Sequence, residues 1–236
     1  MNPHTHSFPP PLPDVERAPR PAGLRTALLA SLAAAVVALM LFSWLADEVF
    51  EGDTAAFDAR VRDWVHGFAS PALTTAMRVF SIIGYQGLIA AFVAAVVTFL
   101  LLRWRRAALW LVFSVAGGLV LDLALKNAFH RPRPQPFFGD LPHDWSFPSG
   151  HALFSFCFFG VLAGLLAVRL RSFVWKAAVW ALAAALIAAI GLSRIYLGVH
   201  YPSDVLAGYL AAALWVSSLV AADRWRRGRS RNQSGS

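Results

Sequence analysis

Residues 26–46 read TALLASLAAAVVALMLFSWLA and residues 79–102 read VFSIIGYQGLIAAFVAAVVTFLLL, with no charge in either stretch. A bilayer core of about 30 Å is crossed by roughly 20 mostly apolar helical residues, and both stretches reach that length. Further uncharged runs cover Ala107–Leu121, Ala152–Val168, Ala177–Ser193 and Val205–Ala222. The last two reach spanning length with a turn of polar flank, and the third does so once Asp122 and Lys126 are counted in its helix. A single short run suits a buried soluble helix. Six of them with few polar connections do not, and they predict an all-α integral membrane protein, a six-transmembrane-helix bundle. Composition agrees: 58 % hydrophobic and 14 % charged, against roughly 45–50 % and 25 % in soluble proteins.

The net charge of +8 would suit nucleic acid if it formed one patch, but the cations bracket the spans. Arg17, Arg20 and Arg25 precede the first; Arg103, Arg105 and Arg106 join the second and third. Arg169, Arg171 and Lys176 join the fourth and fifth, and Arg224, Arg226, Arg227, Arg229 and Arg231 follow the sixth. With six spans all of these share one side, which the positive-inside rule makes cytoplasmic. Both termini are then cytoplasmic, and nucleic acid is no partner. Cys157, the single cysteine, lies in the fourth run and excludes an intrachain disulfide and a cysteine metal cluster.

The organisation expected is a Pro-rich, disordered cytoplasmic lead over 1–22, a six-span domain over 23–223 and a basic cytoplasmic tail over 224–236. The first run is longer than the 7–15 apolar residues usual in a signal peptide and is read as a retained anchor. Within the domain, residues 47–78 are acidic and then amphipathic. Phe57, Val61, Trp64, Val65 and Phe68 recur at helical spacing, as in a connecting helix at the membrane interface with no catalytic part.

Three polar clusters interrupt the apolar pattern on the outer side, within a catalytic region of about 122–206. Lys126 and the Arg131-Pro132-Arg133-Pro134 loop follow span three, Pro148-Ser149-Gly150-His151 opens span four, and Ser193-Arg194 with His200 and Asp204 links spans five and six. Lys126, Arg133 and Arg194 can balance a phosphate and its in-line transition state. Ser149 and Gly150 add a hydroxyl and free backbone N–H groups at a helix N-terminus. Asp204, four residues after His200, can accept one ring N–H and leave the other nitrogen bare as a nucleophile, so a phosphohistidine follows. His151 is the general acid that protonates the leaving oxygen. Asp122 pairs with Lys126 along the helix, His130 stays open, and His4, His6, His66 and His143 are read as structural or solvated. No cluster gathers the carboxylates a magnesium phosphatase uses, so neither metal nor other cofactor is expected.

The three clusters, in this order and at these spacings, resemble the type 2 phosphatidic acid phosphatase superfamily, the lipid phosphate phosphatases related to vanadium haloperoxidases. The resemblance covers about residues 110–215. It implies His200 as nucleophile oriented by Asp204, His151 as general acid, and phosphate contacts from Lys126, Arg133, Ser149, Gly150 and Arg194. It also implies an enzyme: a metal-independent phosphatase acting on a lipid phosphate or pyrophosphate at the outer membrane–water interface. The Ala- and Arg-rich runs point to a bacterial inner membrane. Undecaprenyl pyrophosphate is the first choice of substrate, with phosphatidate, phosphatidylglycerol phosphate and diacylglycerol pyrophosphate behind it. A lipid phosphotransferase, a lipid A phosphatase and, outside enzymes, a lipid transporter are the alternatives. A transporter would carry ionisable groups at mid-span, whereas here they lie at span ends. Oligomeric state is left open.

Overall fold

The structure, a computed structural model, describes residues 21–140 and 142–233. Among them are seven helices: α1 Pro21–Glu51, α2 Ala55–His66, α3 Pro71–Leu101, α4 Arg105–Phe129, α5 Gly150–Ala167, α6 Phe173–Tyr196 and α7 Pro202–Gln233. All but α2 are long and apolar enough to cross a membrane. The expected disordered lead lies outside the described residues, apart from positions 21 and 22, where α1 has already begun.

Helices run past the uncharged stretches wherever the polar residue beyond can reach the membrane edge. Asp122 and Lys126 both fall inside α4, as the length of the third span requires. The arginines after residue 223 continue α7 rather than forming a separate tail, with Arg227 pairing back to Asp223 at 2.9 Å, one turn earlier.

Within the connection over 47–78 a helix falls on the stretch whose helical spacing predicts one, as α2. α1 continues to Glu51, α2 is short, and Pro71 opens α3 with Ser70 as its N-cap, its hydroxyl accepting from Leu73 N–H at 3.3 Å. The apolar residues of α2 also divide. Phe57, Trp64 and Phe68 are exposed, while the inward stripe is Thr54, Asp58, Val61 and Val65. A carboxylate, Asp58, sits in that stripe.

Helix α5 is the centre of the bundle, with α4, α6 and α7 around it, while α1 lies along α7 and α3 along α6. Half of the α5 span is enclosed by protein, against 11 % of α6. Exposed side chains such as Val120, Val174, Leu182 and Trp180 thus meet lipid rather than water. A π turn at Phe156–Gly160 shifts the hydrogen-bond register of α5, and the Cys157 carbonyl accepts from Ser114 Oγ of α4 at 2.9 Å, which satisfies a polar group in the membrane interior.

Backbones come close where α7 crosses the start of α5. A Cβ on Gly208 would stand 2.6 Å from the Ser149 carbonyl oxygen and 3.0 Å from Ala152 Cβ. Gly208→Ala is expected to force the two helices apart at a cost of about 1–3 kcal/mol. The detergent melting temperature should fall by roughly 2–10 °C, and an unshifted melt would show that the helices do not pack this closely.

Candidate active site

Each motif residue is delivered by a helix end, by the loop between α4 and α5 or, for His200, by the turn between α6 and α7. Lys126 lies in the last turn of α4, which closes on His130 in the left-handed conformation, its N–H on the Lys126 carbonyl at 3.1 Å. His130 is exposed, with its ring edge against Trp145; it caps the helix. The loop returns beneath itself, Ser146 N–H donating to the Arg131 carbonyl at 2.9 Å, and leads through the cis Phe147–Pro148 bond into α5. Across the site, Gly198 takes φ +78°, and a Cβ there would lie 2.5 Å from the Phe137 backbone nitrogen. Only glycine lets the α6–α7 turn lie this close under the loop.

These elements bring all eight expected residues to one place. Arg133 Nη1 is 2.9 Å from His200 Nε2, and His200 Nδ1 is 3.4 Å from Asp204 Oδ2. Ser149 N–H donates to the Asp204 carbonyl at 2.9 Å. His151 lies within electrostatic reach of Arg194, His200 and Lys126, and its ring stacks on Tyr85 of α3 at 5.9 Å. Gly150 stands over Asp122, whose Oδ1 would be 3.2 Å from a Cβ there. Asp122 pairs with Lys126 at 3.3 Å, as expected from their spacing.

A guanidinium only donates, so the contact with Arg133 fixes the His200 tautomer. Nε2 carries the lone pair, and Nδ1–H faces Asp204. The Nδ1 separation is long for a hydrogen bond, as catalytic contacts often are before substrate binds. Desolvation lowers the His200 value to about 4, aided by Arg133 and Arg194 and opposed by Asp204. A folded value below the ordinary 6.5 favours the neutral ring. It therefore subtracts from stability as pH falls from about 6.5 toward 4 and leaves a nucleophilic nitrogen at neutral pH.

Ser149 is the N-cap of α5, yet its hydroxyl makes no capping bond and is buried without a partner. Arg194 donates to Ser81 Oγ at 2.5 Å, while its Nε is buried and unpaired. A buried donor left unsatisfied costs roughly 1–3 kcal/mol. Two of them beside three cations form a cradle whose chemistry matches phosphate oxygens. Among the described residues no three His, Cys, Asp or Glu side chains converge as metal ligands.

Several site residues escaped the sequence reading. Asp144 bridges the cradle, with Oδ2 2.5 Å from Lys126 Nζ and Oδ1 2.7 Å from Arg133 Nη2. Burial alone would raise its carboxyl, but Lys126 and then Arg133 outweigh that and hold it at about 2. Arg131 donates to Asp204 at 2.6 Å and to Asp58 of α2 at 2.8 Å. Ser146 Oγ and Tyr201 N–H donate to the other Asp204 oxygen; Asp204, the third residue of α7, thus reaches back to the residue before the helix. A cavity of about 810 Å³ lined by Leu24, Arg106, Trp110 and Asp223 contains no motif residue and lies toward the other end of α4.

Comparison with known proteins gives concordant matches. A family model described as the PAP2 superfamily matches residues 107–228. The undecaprenyl-diphosphatase of Sulfolobus acidocaldarius is 35 % identical over 123 residues, 50 % of this chain and 55 % of that one. Phosphatidylglycerophosphatase B of Bacillus subtilis is 36 % identical over 109 residues, 45 % of this chain and 52 % of its own. The chain thus spans about half the length of the curated relatives it matches. The crystal structure of a transmembrane PAP2-type phosphatidylglycerolphosphate phosphatase from Bacillus subtilis superposes with a TM-score of 0.72 at 25 % identity, covering 81 % of this chain and 96 % of that one.

Asp144 is ionised at any pH above about 4, so it competes with an incoming phosphate for Lys126 and Arg133. Asp144→Asn is expected to tighten orthovanadate binding about fivefold, the equivalent of roughly 1 kcal/mol for one charge at about 4 Å in water. Isothermal titration checks this; unchanged or weaker binding would mean that Asp144 props the cations in place instead.

Proposed function

The chain belongs to the PAP2 superfamily, and from that premise we propose that it is a membrane phosphatase that hydrolyses lipid phosphates or pyrophosphates through a phosphohistidine. The observation that carries this reading is the unprotonated Nε2 of His200, held by Arg133 at 2.9 Å within reach of Arg194, with Asp204 behind the ring.

The phosphate of the substrate takes the place of the Asp144 carboxylate between Lys126 and Arg133. As Arg133 turns its donors to the phosphate, it releases the lone pair of His200. Ser149 Oγ, the Gly150 N–H and Arg194 receive the remaining oxygens at the start of α5. Nε2 then attacks phosphorus in line as the bond to the leaving oxygen breaks, and His151 gives that oxygen its proton. The imidazolium character that develops on His200 is stabilised by Asp204. In the second half, His151 takes a proton from water, the hydroxyl attacks the phosphohistidine, and inorganic phosphate leaves with His200 restored. Fixed cations supply the charge that a metal would supply elsewhere.

The apolar part of the substrate is accommodated where His151 meets Tyr85, a side chain on α3 that is 55 % exposed on the bundle's surface. Undecaprenyl pyrophosphate is the favoured substrate, followed by phosphatidate and phosphatidylglycerol phosphate. The site faces the outside of a bacterial inner membrane with both termini cytoplasmic. The support is the cations at the other helix ends, Arg103, Arg105 and Arg106 together with Arg169, Arg171 and Lys176.

Purified protein is expected to release phosphate from at least one of these lipids in excess EDTA and to be inhibited by vanadate. Loss of turnover in EDTA with rescue by magnesium would overturn the metal-independent mechanism. His151→Ala should slow a lipid alkyl phosphate at least tenfold more than an activated aryl phosphate, whose leaving group needs little protonation. Equal losses would remove His151 as the acid.

A further inference from the structure

Asp58 is 1 % exposed and belongs to α2, outside the part of the chain matched by the family model. Its Oδ1 accepts Ser203 N–H at 2.9 Å, and its Oδ2 accepts Ser203 Oγ at 2.6 Å and Arg131 Nη2 at 2.8 Å. Arg131 Nη1 in turn donates to Asp204 Oδ1 at 2.6 Å and to Ser203 Oγ at 2.8 Å. The guanidinium lies 4.1 Å from the Tyr201 ring centroid. A row of alternating charge therefore runs Asp58, Arg131, Asp204, His200, ending on the nitrogen opposite the nucleophile.

The order of charges matters. Asp204 has no solvent exposure, and a buried carboxylate needs a counter-charge. Arg131 supplies one and fixes Oδ1. A lone guanidinium there would also cancel much of the negative charge that Asp204 presents to His200. Asp58 removes that conflict. The three groups together carry one net negative charge, the same as Asp204 alone, while both Asp204 oxygens stay held. Burial would lower the Arg131 guanidinium, but Asp204 and then Asp58 outweigh it and raise its value, so the cation persists at every working pH.

We propose that Asp58 is a positioning residue for the reaction, acting through Arg131 to hold Asp204 in place and to keep one net negative charge behind His200. This rests on the reading of His200 as nucleophile. It gives α2 a part in the chemistry, and it explains why a polar residue occupies its inward stripe. A purely structural alternative is that Asp58 only ties α2 to the first turn of α7 through Ser203.

The acid limb of the pH profile of kcat/KM separates the two. Charged or titratable groups facing His200 are Asp204 on its own segment, Arg133 from the loop, Arg194 from α6 and His151 from α5. The substrate's own ionisation is common to every variant, so differences between variants belong to the protein. Asp58→Asn keeps the size and one accepting oxygen, turns the other into a donor and leaves Arg131 uncompensated. The acid limb should move down by about half a unit to one unit, and kcat should fall about tenfold or more with KM within about threefold. Arg131→Gln should move the limb up, and the double variant should return it toward the wild-type position.

Shifts in opposite directions with recovery in the double variant support the proposal. An unmoved limb, or the same shift in both single variants with a lowered melting temperature, overturns it in favour of the structural tie. Should Asp58→Asn fail to fold, Arg131→Lys decides: it keeps the charge and must leave the limb where it is, while Arg131→Gln raises it. If the wild-type protein releases no phosphate from any lipid phosphate, the functional reading fails instead. The charge claim is then read from the His200 ring titration by NMR in the same variants.

Discussion

A carboxylate with no exposure to solvent sets the terms for the whole site. Asp204 sits in the first turn of α7 at the edge of the bundle, and leaving such a charge without partners costs several kcal/mol. It is answered from four directions: Arg131 and Ser146 of the loop, the Tyr201 backbone N–H, and the His200 ring. Each of these contacts also places something else. Arg131 draws in α2 through Asp58, Ser146 fixes the approach to α5, and Tyr201 and His200 fix the turn from α6. The carbonyl of the same residue receives Ser149 N–H, which joins the start of α5 to the start of α7. Much of the site geometry is thus a consequence of satisfying one acid.

The phosphate cradle obeys the same constraint with the signs reversed. Lys126 and Arg133, both largely shielded, are held by the half-exposed Asp144 and, for Lys126, by Asp122. Lys126 and Arg133 are thus balanced by a half-exposed loop carboxylate, which a substrate oxygen replaces in the proposed mechanism without leaving either cation bare. In the proposed mechanism that exchange also uncouples Arg133 from His200, so binding of phosphate and exposure of the nucleophile become one event. Ser149 Oγ and Arg194 Nε lack partners, and the proposed mechanism supplies them from the phosphate in the same step.

Much of this was legible in the amino-acid order because membrane insertion leaves a local signature. Six uncharged runs gave six spanning helices, and Asp122 and Lys126 fell inside α4 as bilayer thickness demanded. The Lys126, Arg133, Ser149, Gly150, His151, Arg194, His200 and Asp204 set comes together because each lies at a helix end or in the turn beside one. What could not be read were contacts spanning many residues. Asp58 reaches Ser203 across 145 positions and Arg131 across 73, and nothing near Asp58 distinguishes it from Asp53 or Asp63. The aromatics of 57–68 marked α2 but not its inward face, because Phe57, Trp64 and Phe68 point away from the protein while Asp58 points into it. Asp144 looked like a solvated loop residue because its role exists only beside cations contributed by α4 and the Arg-Pro loop.

The account centres on His200 as the residue that accepts the phosphoryl group. Its most direct test is rapid quenching into alkaline denaturant during turnover of a lipid phosphate labelled in its phosphoryl group, with the label mapped by peptide analysis. The account predicts label on the peptide containing His200, labile to acid and stable to base, and its loss in His200→Ala together with turnover. Label on another residue, or sustained turnover by His200→Ala, would contradict it.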